Sequence, residues 1–268
     1  MNVRFVIRSL LLAIPVAVCI SAGWIFFQSP LSRRPDPTPL PPTIIAPRGE
    51  MPVGPGGLQE WARYRGQDYR PVGCGFFFAL GSGEIVGATT AHSVGIGNPD
   101  HSLEKIGLGV AGRNGFVGEF DTLWGPPGRR LTPENLALDY LLLRVDAPID
   151  AELVLTPDPR GAPQPGERVV LYSGLGDDQG GPRLLAGTVQ TVSNEAVWVL
   201  MDAWFNPSMM SGSPVVSQHT GQVVGMVVAG SPRMLRVLLG LHPMGSLVEH
   251  AESAKEFPKL SEWVQGGE

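Results

Sequence analysis

Three observations predict an all-β globular domain. Glycine and proline are abundant, 35 and 26 of the 268 residues, whereas charged residues make up only 17%. Such a chain turns often and has few charged helix faces. Short apolar runs broken by glycines recur from about Trp61 to Leu241, and only the end, Ser246 to Val264, has a helical pattern. Regularly spaced short strands of this kind build a sandwich or barrels, and the chain is long enough to bury a substantial core.

At the N-terminus, Arg4 and Arg8 precede 18 uncharged residues, Leu10 to Phe27. At about 1.5 Å per residue, such a run just crosses a hydrocarbon core as a helix. Residues 1–28 are read as a signal anchor, a single transmembrane helix. The run is longer than a signal-peptide core and ends in Trp24, Phe26 and Phe27, which suit a membrane interface. The competing reading is a signal peptide cut near Ser21-Ala22-Gly23, which leaves a secreted domain. Arg33 and Arg34 balance Arg4 and Arg8, so flanking charge barely sets the orientation. A hydrophobic segment ahead of a soluble domain normally exports it, so the domain is expected outside the cytoplasm, tethered to the cell membrane.

Residues 29–57 follow, with nine prolines between Pro30 and Gly57. This segment favours an extended polyproline conformation of about 3.1 Å per residue and is read as a semi-rigid stalk. Strand candidates then run along the domain 58–268. Gly75–Leu80 and Ile85–Thr90 flank the hairpin signal Gly81-Ser82-Gly83-Glu84. Next come Ile106–Val110, Phe116–Phe120, Leu138–Val145, Val169–Tyr172, Leu185–Val192 and Val197–Met201, and then Val215–Val216, Val223–Ala229 and Leu235–Leu241. After Leu241 only a short helical tail is expected.

Composition also excludes function classes. The net charge of −5 and the lack of a Lys/Arg cluster interleaved with aromatics give no basis for nucleic-acid binding. His101, His219, His242 and His250 lack metal-ligand spacing, and no phosphate-cradling glycine loop occurs, so no metal or cofactor is expected. Of the two cysteines, Cys19 lies in the apolar run and Cys74 stands alone in the domain. The domain therefore has no internal disulfide, and Cys74 is read as a small buried hydrophobe.

Three segments carry chemistry. Gly87-Ala88-Thr89-Thr90-Ala91-His92-Ser93 ends a strand in small residues and presents a histidine. Leu138-Asp139-Tyr140-Leu141-Leu142-Leu143 places an acidic residue at the opening of an apolar strand. Met209-Met210-Ser211-Gly212-Ser213-Pro214-Val215-Val216 puts a serine in a tight turn before another strand. Each alone is ordinary loop composition; their coincidence in the order His, Asp, Ser, each abutting a strand, is what signifies.

In that order the segments resemble the chymotrypsin-like (trypsin-like) serine peptidases of the bacterial type, over roughly Val72 to Gly245. Thr90-Ala91-His92 is similar to the family's Ala-Ala-His block, and Asp139 with its apolar strand to its Asp block. Ser211-Gly212-Ser213-Pro214-Val215 is similar to Ser-Gly-Gly-Pro-Val. The resemblance implies two antiparallel six-stranded β-barrels, at about 70–150 and 165–245, followed by a short C-terminal helix. It further implies a catalytic triad of His92, Asp139 and Ser211, an oxyanion hole from the N–H groups of Met209 and Ser211, no cofactor, and a peptide or protein substrate. The expected function is a membrane-tethered or exported serine endopeptidase; oligomeric state is left open.

The pattern departs from the family in three places. Met209 stands where the family has glycine; if that site needs positive φ, the methionine strains it and disfavours the oxyanion hole. A catalytically silent domain that binds peptides through the same cleft is therefore the alternative. Met210 replaces the aspartate of the zymogen mechanism. Ser93 stands where a cysteine often follows the histidine, so Cys74 lacks that partner. Phe205, six residues before Ser211, is near the implied floor of the primary pocket, with core packing as the competing role. Val228, Ala229 and Gly230 form the implied substrate-pairing edge. An appended peptide-binding domain of the high-temperature-requirement proteases is not expected.

Overall fold

The computed structural model describes residues 49–95, 103–129, 131–132, 134–176 and 183–262, all within one compact unit, Pro37–Glu268. The predicted anchor and most of the stalk lie outside the described residues, among which no helix is long and apolar enough to cross a membrane.

The first half of the domain is built from β1 (Leu58–Tyr64), β2 (Arg70–Ala79), β3 (Ile85–Thr89), β4 (Leu103–Gly109), β5 (Gly118–Phe120), β6 (Leu141–Arg144) and the short β7 (Val154–Leu155). Its sheet runs in the order β5-β4-β1-β2-β3-β6, with β7 pairing β2 in parallel. The second half, β8 (Arg168–Ser173), β9 (Arg183–Val192), β10 (Val197–Met201), β11 (Pro214–Ser217), β12 (Val223–Arg233) and β13 (Arg236–Pro243), closes as the barrel β10-β13-β12-β11-β8-β9. A helix, α1 (Met244–Ser253), follows β13.

The expectation of two six-stranded barrels is thus corrected. One barrel closes, and the first half is a half-barrel. β5 has only three residues and cannot form a full ladder with β6. The outer strands meet instead at an isolated bridge, Leu123 with Leu143, flanked by Trp124 N–H to Leu142 O (2.8 Å) and Arg144 N–H to Thr122 O (3.0 Å). The predicted helix is also shortened, since α1 ends at Ser253. The following chain is needed to line that seam, where Leu123 N–H bonds Pro258 O and Thr122 bridges Lys259.

Packing explains the strand sequences. In β2 the three phenylalanines are buried on both faces. Phe77 enters the half-barrel core with Ile106, Leu108 and Leu143, while Phe76 and Phe78 face a second cluster. That second cluster joins the halves: it combines Val86 and Leu142 with Tyr172, Val216 and Met226 and with Met244 and Leu247 of α1. A third cluster, including Val169, Val199, Val224 and Leu239, fills the closed barrel. Each such fully buried aliphatic side chain contributes about 1.5–3 kcal/mol. The last stalk residues also pack on the domain: Tyr172 Oη donates to Pro52 O (2.9 Å), and Gly49 N–H to His219 O (2.5 Å).

Candidate functional site

Each of the three chemical side chains lies on or beside a turn next to a strand. His92 follows β3 in a turn closed by Gly95 N–H to His92 O (3.2 Å) and by the hydroxyl pair Thr90–Ser93 (2.5 Å). Asp139 precedes β6 in a turn made by its own N–H to Leu136 O (3.3 Å). That turn leans on the closed barrel, because the Leu136 and Ala137 N–H groups both donate to Glu195 O. Ser211 lies between β10 and β11.

The serine turn is fastened on both sides. On the barrel side, Gly212 N–H donates to Val227 O (2.7 Å). On the half-barrel side, Cys74 N–H donates to Ser211 O (2.8 Å) and the Cys74 thiol to Met209 O (3.2 Å). The turn sits so close to β2 that a Cβ on Gly212, at φ +91, would stand 1.7 Å from the Cys74 carbonyl oxygen. Only glycine fits there.

This brings the three predicted side chains together. His92 Nε2 is 2.9 Å from Ser211 Oγ, and His92 Nδ1 is 2.6 Å from Asp139 Oδ2. Asp139 is 0% exposed and also takes the His92 backbone N–H on Oδ1 (3.1 Å), so both its oxygens orient the one histidine. A carboxylate can only accept, which places the ring proton on Nδ1 and aims the Nε2 lone pair at the hydroxyl.

Met209 adopts φ 62. The strained conformation is therefore held despite the side chain, at a cost of about 1–3 kcal/mol. Its side chain is 39% exposed, out of the way of the turn, and its carbonyl is retained by the Cys74 thiol. Burial pushes that thiol up to about 12, so it remains a donor. The backbone N–H groups of Met209 and Ser211 meet no acceptor among the described residues. Two backbone donors of the serine turn are thus without partners among the described residues.

Other predicted residues fall in different places. Phe205 is 3% exposed inside the closed-barrel cluster, with the Arg183 guanidinium 5.9 Å from its ring; it takes the core-packing role. Val228 and Ala229 are buried and Gly230 half-buried on β12. Two contributors were not foreseen. Cys74 was taken for packing only, and Glu60 of β1 was not singled out. The Glu60 carboxyl is 0% exposed, and both its oxygens lack hydrogen-bond partners. Burial holds it well above the usual carboxylate range; Thr89 opposes this and the nearby Asp139 charge adds to it. Behind Asp139, His242 is pushed down to about 4 by burial, its environment completed by Tyr140 and His250 rings stacked 4.3 Å apart. Among the described residues no three metal-ligating side chains converge.

Residues 73–226 match the sequence profile of the family described as trypsin-like peptidase domain. No curated protein matches the chain. Among solved structures, the serine endoprotease from Yersinia pestis is similar at 16% identity and a TM-score of 0.50, over 75% of this chain and 63% of its own. Neuropsin, a serine protease expressed in the limbic system of mouse brain, is similar at 13% identity and a TM-score of 0.50, over 77% of this chain and 97% of its own. At such identities the likeness shows the fold. The chain spans about 63% of the length of the Yersinia protein.

Proposed function

The chain belongs to the trypsin-like peptidase domain family, and from that premise we propose that it is a serine endopeptidase working through His92, Asp139 and Ser211. The observation that carries this reading is the continuous relay from Ser211 Oγ to His92 Nε2 (2.9 Å) and from His92 Nδ1 to Asp139 (2.6 Å).

The geometry supports the following chemistry. Ser211 Oγ attacks the scissile carbonyl carbon while its proton passes to His92 Nε2. Asp139 stabilises the imidazolium across the Nδ1–H bond. The carbonyl electron pair moves onto oxygen, facing the N–H groups of Met209 and Ser211. Donors of this kind are worth about 2.7–4 kcal/mol each. The C–N bond then breaks, and the amine leaves with the proton returned by His92. Water, deprotonated by the same ring, attacks the ester and restores the serine. A peptide or protein substrate aligns along the free edge of β12 at Val228, Ala229 and Gly230.

The reading of a silent binding domain rested on strain at Met209. The φ of 62 there, with both turn N–H groups unpartnered, favours the peptidase instead. The uncharged run at residues 10–27 extends the proposal to a domain tethered to the membrane and displayed outside the cytoplasm. The test is hydrolysis of an unstructured protein by the full chain, with new N-termini sequenced. Cleavage is expected, and Ser211→Ala should lower it by about 10⁶-fold; unchanged cleavage in that variant would refute the assignment.

A further inference from the structure

β12 leaves one edge open beside the serine. Its residues Val223–Met226 pair with β11 on one side and Gly225–Arg233 with β13 on the other, so beyond Val227 only the β13 side is paired among the described residues. The Ser211 turn docks where the open edge begins, through Gly212 N–H to Val227 O (2.7 Å) and Val227 N–H to Ser213 O (2.9 Å). Val228 is the extra residue of a bulge and leads directly into the unpaired stretch. A polypeptide acylated on Ser211, with its carbonyl oxygen toward the Met209 and Ser211 N–H groups, runs back along this edge. The side chain of its acylated residue then enters the gap between Val228–Gly230 and the segment 205–208 that leads into Met209.

That gap is filled. A Cβ on Gly230 would stand 2.7 Å from Pro207 Cβ and 3.1 Å from its Cγ, so the pyrrolidine ring lies against the face of the glycine. Beneath it, Phe205 belongs to the barrel core, which packs that side as well. A ring or branched chain seated between two walls needs about 3.5–4.0 Å to each, a separation that a wall residue touching the opposite wall removes. Pro207 is also tied into the turn, since its carbonyl accepts Met210 N–H (3.3 Å). Its lack of backbone freedom holds it there.

We propose that Pro207, seated on Gly230, is a specificity-determining residue that limits the acylated position to glycine, alanine or serine, so that the enzyme cleaves after small residues. The proposal rests on the reading of Ser211 as nucleophile, and the experiment separates the two. One portion of the full chain is labelled with a fluorophosphonate, and a separate, untreated portion digests a peptide library whose cleavage sites are read by mass spectrometry. Cleavage after glycine, alanine and serine should exceed cleavage after leucine, methionine and phenylalanine by at least about 10-fold, the lower range of discrimination for added methylenes. Pro207→Gly should shift that ratio toward the large residues by a similar factor. A protein that does not label overturns the nucleophile reading and this inference with it. A protein that labels and cleaves equally well after leucine or phenylalanine overturns the inference alone. Should Pro207→Gly lose labelling, Gly230→Ala serves instead: its added Cβ stands 2.7 Å from Pro207 Cβ and narrows the gap further, so cleavage after alanine and serine should fall relative to cleavage after glycine; an unchanged ratio there counts against the inference.

Discussion

Met209 and Glu60 are the two residues whose local chemistry is least ordinary. A methionine at φ 62 crowds its own Cβ against the backbone, a conflict that glycine lacks and a β-branched side chain worsens. Met209→Gly should therefore react with a fluorophosphonate at least as fast as the parent, and Met209→Val at least about tenfold more slowly, equivalent to about 1.4 kcal/mol. Equal rates in the two variants would show that the φ of this residue does not govern the turn. Burial holds the Glu60 carboxyl well above the usual carboxylate range, whereas an unfolded glutamate ionises at about pH 4.3. The unfolded chain then binds fewer protons than the folded one, so this group's contribution to stability is intact below about pH 4.3 and is lost as pH rises toward the raised value. Glu60→Gln should match the parent in urea denaturation at pH 4 and exceed it increasingly toward pH 8; a gap independent of pH would mean that Glu60 is ionised in the fold. At this scale His92, Asp139 and Ser211 were legible because each is carried by a contiguous motif. Cys74, Glu60 and the burial of Phe205 were not, since their roles depend on neighbours far along the chain.

At the level of elements, legibility followed the apolar runs. β3 and β10 were read almost to their ends, and the core of β2 was found from its phenylalanines. β1 was missed because Gln59, Glu60 and Arg63 interrupt its pattern, and Glu60 occupies a buried position that pattern reading assigns to an apolar residue. β7, two residues long, gives no periodicity at all. The helix was overextended because its apolar spacing continues past Ser253, while the chain beyond is drawn off to pair beside Thr122 and Leu123. α1 owes its place to three buried residues, Met244, Leu247 and Ala251, rather than to a side-chain cap, which its N-terminus lacks. Leu247→Ala should destabilise the domain by about 2–5 kcal/mol in chemical denaturation. A loss under about 0.5 kcal/mol would show that the helix is not part of the cooperative core.

For the molecule as a whole, pairing decides what patterning does not. Sequence periodicity marks strands but says nothing of whether β5 and β6 join, so the half-barrel and the barrel were not distinguishable before the long-range ladders were known. The candidate site depends on those ladders. The half-barrel presents His92 and Asp139, the barrel presents Ser211, and the shared cluster around Phe76, Tyr172 and Met226 with the Cys74 bonds sets their separation. The most direct test of the account is the reaction of the purified full chain with a fluorophosphonate, alongside Ser211→Ala and His92→Ala. The account predicts stoichiometric modification of the parent at Ser211 and none in either variant. A folded parent that stays unmodified, or modification that survives Ser211→Ala, would contradict it.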